Sequence, residues 1–334
     1  MSLENKLSLH PVEVALPVVS WDPVPRKASI PSSIGVVLGR VGTLDGKNGI
    51  VMADEAMAIG IAKGLMKSAE GALDRCDVLQ YDQIDPGKYD GLFLMHHTVL
   101  QGLPASLSAI PKWLWVHNPG ISHPLELRRA AVTAYQRVFH AGRKIADACG
   151  FDYLPHGLED LDMFTPSNEG DLYDVGFVGN AVMHSDLVTT LLRLIQDGKT
   201  VEIRGARWKE AGVPSAGSIP MNQAGSILAR SSVCLDHVSK YHRDEGMTST
   251  RIYQVLACES ALVTTQSPGN VPEELHKHMV FAADAEEAYR IVKKLLADPI
   301  ARAKLRTGSR RTIVNHTMLQ RARTIWARIV SDSN

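Results

Sequence analysis

Short apolar runs alternate along this chain with longer stretches of helical periodicity. In the first half, Ile34–Leu38, Asp77–Gln80, Gly91–Met95, Lys112–Val116 and Arg137–Phe139 read as buried strands. Helices are expected between them at about Met52–Ser68, Pro124–Gln136 and Arg143–Cys149. The pattern then starts again. Tyr173–Val178, Thr200–Ile203, Val233–Leu235 and Ala261–Thr264 read as strands. Helices follow at Leu187–Gln196 (capped by Ser185), Asn222–Arg230, from Thr250, at Ala285–Leu296 and at Thr317–Val330. Strand and helix in alternation predict parallel sheets covered by helices, the α/β class.

The two series are separated by Ser167-Asn-Glu-Gly170-Asp171, a polar, glycine-containing stretch suited to a linker. At 334 residues the chain is long for one domain. Expected are a first domain over 1–166, a second over 172–316, and a terminal helix, 317–334, returning to the first. Residues 1–33 are broken by five prolines and read as an irregular arm.

Lys plus Arg and Asp plus Glu number 36 each, so the net charge is zero. That gives no support to a general polyanion binder, and nucleic acid is not indicated. The four cysteines are scattered without a C-x-x-C pair, which argues for buried thiols rather than zinc or dithiol chemistry. No apolar run reaches membrane-spanning length, and the N-terminal stretch lacks a basic segment before an apolar core. A cytoplasmic protein without a membrane span is expected.

Candidate chemistry concentrates in Asp244–Thr265, where a hydroxyl-rich loop turns into a helix at Thr250 and then a strand. Thr248, Ser249 and Thr250 surround the helix start, and Arg251 adds a permanent charge. The arrangement suits an anion such as a phosphate. It also suits an ordinary capped helix, and the residues alone leave both readings open. Other candidates stand at strand ends, where doubly wound sheets place function. These are the glycine-rich stretch 39–49 with Gly42, then His96, His97, His117 and His123. Gly42 and its neighbours fit neither a dinucleotide nor a Walker A pattern. The alternative for each histidine is a strand-end cap. Asp160 and Asp162 have a D-x-D spacing, but their place at a domain junction argues against a metal site. Trp208 could stack on a base, while burial is the alternative.

Arg251-Ile-Tyr-Gln254 with Leu256-Ala-Cys-Glu259-Ser-Ala-Leu-Val resembles a segment of the CgeB-type glycosyltransferases, which have the two-domain GT-B architecture. The likeness extends through Asn270–Leu275, Leu295–Pro299, Asn315-His-Thr317 and Arg321-Ala322, roughly the last half of the chain. Two positions depart from the family pattern: Gln254 stands for a glutamate, and Glu259 for a glycine. The glutamate typically holds the sugar-nucleotide ribose, and glutamine lacks its charge.

The resemblance implies two doubly wound, Rossmann-like domains facing a cleft and sugar transfer from a nucleoside-diphosphate sugar to an unknown acceptor. It places the donor on Gly179, Asn180, Arg204, Arg207, His237, Thr248, Ser249, Thr250, Arg251 and Gln254. It gives Arg204 and Arg251 the stabilisation of the leaving diphosphate, with His117 as an acceptor-side base. Gly42, His96 and His97 would line the acceptor side. It implies neither cofactor nor catalytic metal, and retention of anomeric configuration. A non-catalytic binding protein, or an epimerase or phosphorylase on the same scaffold, is the alternative.

Overall fold

The structure is a computed structural model. It describes residues 29–38, 53–80, 83–85, 87–95, 107, 109–117, 135–181 and 187–333. Gly42, His96, His97, His123, Ser185, residues 1–28 of the N-terminal arm, the glycine-rich stretch 39–49 and most of the helix expected at 124–136 lie outside them.

In chain order the strands are β1 (Ser33–Leu38), β2 (Arg75–Gln80), β3 (Gly91–Leu94), β4 (Lys112–Val116), β5 (Arg137–His140), β6 (Asp152–Tyr153), β7 (Tyr173–Val178), β8 (Val201–Arg204), β9 (Ser231–Asp236), β10 (Ala261–Thr264) and β11 (Met279–Phe281). The helices are α1 (Ala53–Ser68), α2 (Arg143–Cys149), α3 (Leu187–Gln196), α4 (Met221–Ala229), α5 (Lys240–Glu245), α6 (Thr250–Ala257), α7 (Ala285–Ala297), α8 (Pro299–Arg306), α9 (Ser309–Ile313) and α10 (Met318–Ser333). Most lie within two residues of the sequence expectation. Missing from it were α5, built from polar residues only, the short α8 and α9, and β11, too short to show a period of two.

The chain forms two compact units. The first holds the described residues up to Glu159, with Glu245–Met247 and the stretch from Thr317. Its parallel sheet has the order β2-β1-β3-β4-β5-β6. β3 and β4 are buried along their whole length, as strands covered on both faces must be. α10 crosses α1 closely, because α1 presents glycines there. A Cβ on Gly64 would stand 2.5 Å from Ala322 Cβ. The far end of α10 is pinned by Asp332, which pairs with Arg137 and accepts from Trp113 Nε1 at 3.2 Å.

The second unit holds Asp160–Asp244 and Thr248–His316, with the parallel order β11-β10-β9-β7-β8. The change-over at Glu159 and Asp160 comes earlier than the linker expected after Pro166. Leu161 and Phe164 offer their carbonyls to Arg310, far along the chain, which ties this turn into the second unit. Phe177, Leu191, Ile203, Trp208, Leu235 and Val263 belong to its core. The four cysteines are free thiols, three of them buried. Among the described residues no helix is long and apolar enough to cross a membrane.

Candidate nucleotide-sugar site

In the second sheet β7 has β8 on one side and β9 on the other, so the chain reverses its direction of winding between β7 and β9. The carboxyl ends of such a strand pair are where open α/β sheets bind ligands. Four stretches come to this edge: Val178–Asn180 after β7, Arg204–Trp208 after β8, Asp236-His237 closing β9, and the start of α6.

α6 begins as its sequence directs. Ser249 is extended (φ −67°, ψ 137°) and its Oγ accepts from the Arg251 N–H at 3.3 Å, an N-cap bond. Thr248 is fully buried and donates its hydroxyl to the Asn270 carbonyl. Arg251, expected to face a phosphate, is 8% exposed. Its Nη1 donates to Asp236 Oδ1 at 2.9 Å and its Nε to the Val178 carbonyl at 2.6 Å. The guanidinium lies over the Phe177 ring, 4.4 Å from its centre. Burial lowers its pKa, and the facing Asp236 works in the other direction.

The turns after β7 and β8 are bound to each other. Gly179 N–H donates to the Arg204 carbonyl at 2.8 Å, and the Ala206 N–H donates to Asn180 Oδ1 at 2.8 Å. Trp208 is 1% exposed, packs edge-on against Phe177 and donates Nε1–H to the Gly179 carbonyl at 2.6 Å. Burial, rather than a place beside a base, is therefore its position. Arg204 pairs with Glu202, and Arg207 with Glu210 at 2.7 Å. Arg207 is the most exposed of the three arginines and has φ +68°, a conformation that stores strain in a residue other than glycine.

His237 is buried, with Nδ1 3.0 Å from Thr265 Oγ1. Gln254 is buried in α6, its amide 3.7 Å from Met221 Sδ of α4. Glu259 is far from the helix start. It follows the end of α6 with φ +53°. Left-handed backbone at that place explains the glycine usual in the resembling segment, so this departure concerns backbone strain rather than chemistry.

In the first unit the winding reverses between β1 and β3. The chain leaves both strand ends into residues outside the described ones. Asp54 opens α1 there, and burial with Glu55 beside it pushes its pKa up to about 6. His117 follows β4 and is 2% exposed, 5.1 Å from the Trp115 ring and 6.2 Å from His156. His156 Nε2 donates to the His117 carbonyl at 2.8 Å. The imidazole expected to serve as a base is thus packed among rings. Asp160 accepts from the Asp162 N–H at 2.9 Å and caps a short helical turn.

Asp236 is the residue sequence reasoning passed over. An acid closing an apolar strand at its carboxyl end is the signal that could have marked it.

Residues 185–327 match a family model described as "Glycosyl transferase-like". No curated protein matches the chain. Solved structures do. Sucrose-phosphate synthase from Thermosynechococcus elongatus is similar at a TM-score of 0.62 and 10% identity, over 89% of this chain and 98% of that one. The HepE protein of Anabaena, in complex with UDP-glucose, gives 0.60 and 12%, over 89% and 99%. The β-glucosyltransferase of phage T4, also with UDP-glucose, gives 0.54 and 14%, over 90% and 97%. The chain has the GT-B fold. Within this GT-B chain the family-model match takes in the loop after β8, His237 and the start of α6, and leaves out only Gly179 and Asn180 of the candidate site.

Proposed function

We propose that the protein is a CgeB-type glycosyltransferase that moves a sugar from a nucleoside-diphosphate sugar to an acceptor. The observation that carries this reading is the convergence of Gly179-Asn180, the Arg204–Trp208 loop and the start of α6 at the switch point of the second sheet. A departing diphosphate gathers negative charge on its terminal oxygens. The amino end of α6, with Arg204 and Arg207, can meet that charge. Arg207 is now paired with the exposed Glu210, and such a pair is cheap to exchange for a phosphate. Arg204 holds the more buried Glu202. Gln254 and His237 are carried as ribose- and sugar-side contacts.

The reading has the transfer retaining and independent of metal, with the acceptor on the first unit and the protein in the cytoplasm. His117, closed off by Trp115 and His156, is given no proton transfer with a bound acceptor. A non-catalytic nucleotide-binding protein is the second reading, favoured by the uncharged Gln254.

Calorimetric titration with UDP-glucose, UDP, ADP and GDP tests the site, and incubation of the binding sugar nucleotide with candidate acceptors in EDTA tests the reaction. A saturable diphosphate with Kd of about 1–100 μM is expected. Failure of every nucleotide to bind at millimolar concentration would overturn the reading. Binding with no transfer or hydrolysis would favour the second.

A further inference from the structure

Asp236 does more than close β9. It is 1% exposed, at the switch point. Its Oδ1 accepts from Ser249 Oγ at 2.8 Å and from Arg251 Nη1 at 2.9 Å. Its Oδ2 accepts from Thr264 Oγ1 at 2.8 Å, and its carbonyl from the Thr265 N–H at 3.0 Å. An apolar side chain would serve packing as well, without the desolvation a carboxylate suffers. What only a carboxylate does here is hold the N-cap of α6 and a guanidinium together.

Ser249 caps the Arg251 amide, and Arg251 reaches across to the last carbonyl of β7, next to Gly179. The chain of bonds runs from β10 through Asp236 to α6 and on to β7. It fixes the first turn of α6 against the Gly179-Asn180 turn. A helix start held in this way aims its N–H groups before any ligand arrives.

We infer that Asp236 is a positioning residue of the donor site, and that Arg251 is its partner in that task rather than a ligand of the diphosphate. The inference rests on the donor reading given above. It divides the three arginines by role. Arg204 and Arg207 stand at the ligand's edge. Arg251 has its charge met from within.

The test titrates UDP, ADP and GDP into the wild type, then follows the tightest of them and its parent nucleoside in Asp236→Ala, Asp236→Asn and Ser249→Ala. Melting curves are recorded for each. Asp236→Ala and Ser249→Ala should each lose about tenfold or more in diphosphate affinity, while nucleoside binding, followed by saturation-transfer NMR, stays within about threefold. Asp236→Asn keeps an acceptor oxygen for Ser249 but removes the charge that Arg251 faces, and its affinity should fall between those of wild type and Asp236→Ala. The double variant Asp236→Ala/Ser249→Ala should lose less than the two single losses added together, since both remove the Ser249–Asp236 bond. Parallel loss of diphosphate and nucleoside would mark a merely structural role and overturn the inference. So would unchanged diphosphate affinity. If Asp236→Ala does not fold, Ser249→Ala against Ser249→Thr, which keeps the hydroxyl, makes the same comparison. A wild type that binds none of the three diphosphates overturns the donor reading itself. A wild type that binds, with indifferent variants, overturns only this inference.

Discussion

Gly205 faces Gly179 so closely that a Cβ on residue 205 would stand 2.0 Å from the Gly179 oxygen. That oxygen already accepts from Trp208 Nε1 at 2.6 Å, and Gly205 has φ +142°. Neither the contact nor the backbone leaves room for a side chain. Gly205→Ala should cost about 3 kcal/mol or more, from strain and overpacking together. Urea unfolding of the purified variant measures it. Nucleotide affinity should fall with it, because the same contact sets the Asn180 turn.

Arg251 and Arg207 should answer differently to alanine. Arg251→Ala leaves Asp236, whose side chain is 0% exposed, without its cation. Breaking a buried pair from one side costs about 3–5 kcal/mol. Arg207 and Glu210 have side chains 36% and 61% exposed, and their pair is worth about 1 kcal/mol or less. Arg207→Ala should therefore keep the melting temperature within a few degrees while weakening diphosphate binding by roughly tenfold. Calorimetry and melting of both variants decide. An Arg207→Ala variant with wild-type affinity would remove that residue from the site.

Glu259→Gly should stabilise the protein. The residue follows α6 in left-handed backbone, φ +53°, and its carbonyl accepts from Arg306 Nε at 2.7 Å, a bond that glycine keeps. Relief of the strain is worth about 1 kcal/mol. The gain should appear as a higher urea midpoint with unchanged slope. Sugar-nucleotide affinity should not move, because residue 259 lies at the opposite end of the helix from the candidate site.

His140 should make stability depend on pH. It is 2% exposed, and its Nδ1 accepts from the Gly142 N–H at 2.9 Å. Glu245 stands 3.9 Å from its Nε2. Burial, with His156 adding to it, lowers the His140 pKa from 6.5 to about 4. The unfolded chain therefore takes up a proton near pH 6.5 that the folded one refuses until about pH 4. The stability from neutral His140 is complete above pH 6.5 and is lost as pH falls toward 4, about 3 kcal/mol in all. Asp54 works in the opposite sense. Its folded pKa of about 6 lies above the ordinary 3.8, so folding gains as pH falls through 6. The His140 effect is best read in an Asp54→Asn background, by urea unfolding from pH 7.5 to 4. In that background His140→Gln should flatten the curve. An equal slope with and without His140 would show that the group does not carry it.

Much of the architecture was legible in the residues themselves. Lys112–Val116, Arg143–Cys149, Leu187–Gln196 and Ala261–Thr264 have the ends that hydropathy period and helix signals set, because those signals are local. The Ser249 cap was legible for the same reason. The stretch before Thr250 could be picked out as a candidate site from sequence alone, since a hydroxyl-rich loop entering a helix is a contiguous feature. Tertiary structure decided which groups each side chain meets. Arg251 looked like a free cation because Asp236, fifteen residues earlier, comes beside it only when β9 and α6 are laid in register. His117 looked like a cleft base until the rings of Trp115 and His156, the latter from beyond β6, closed around it. The need for glycine at 205 lies in a contact with residue 179. Local backbone preference is written in neighbouring residues, whereas the environment of a charge is the sum of groups the fold brings from far along the chain, and no short window of sequence contains it.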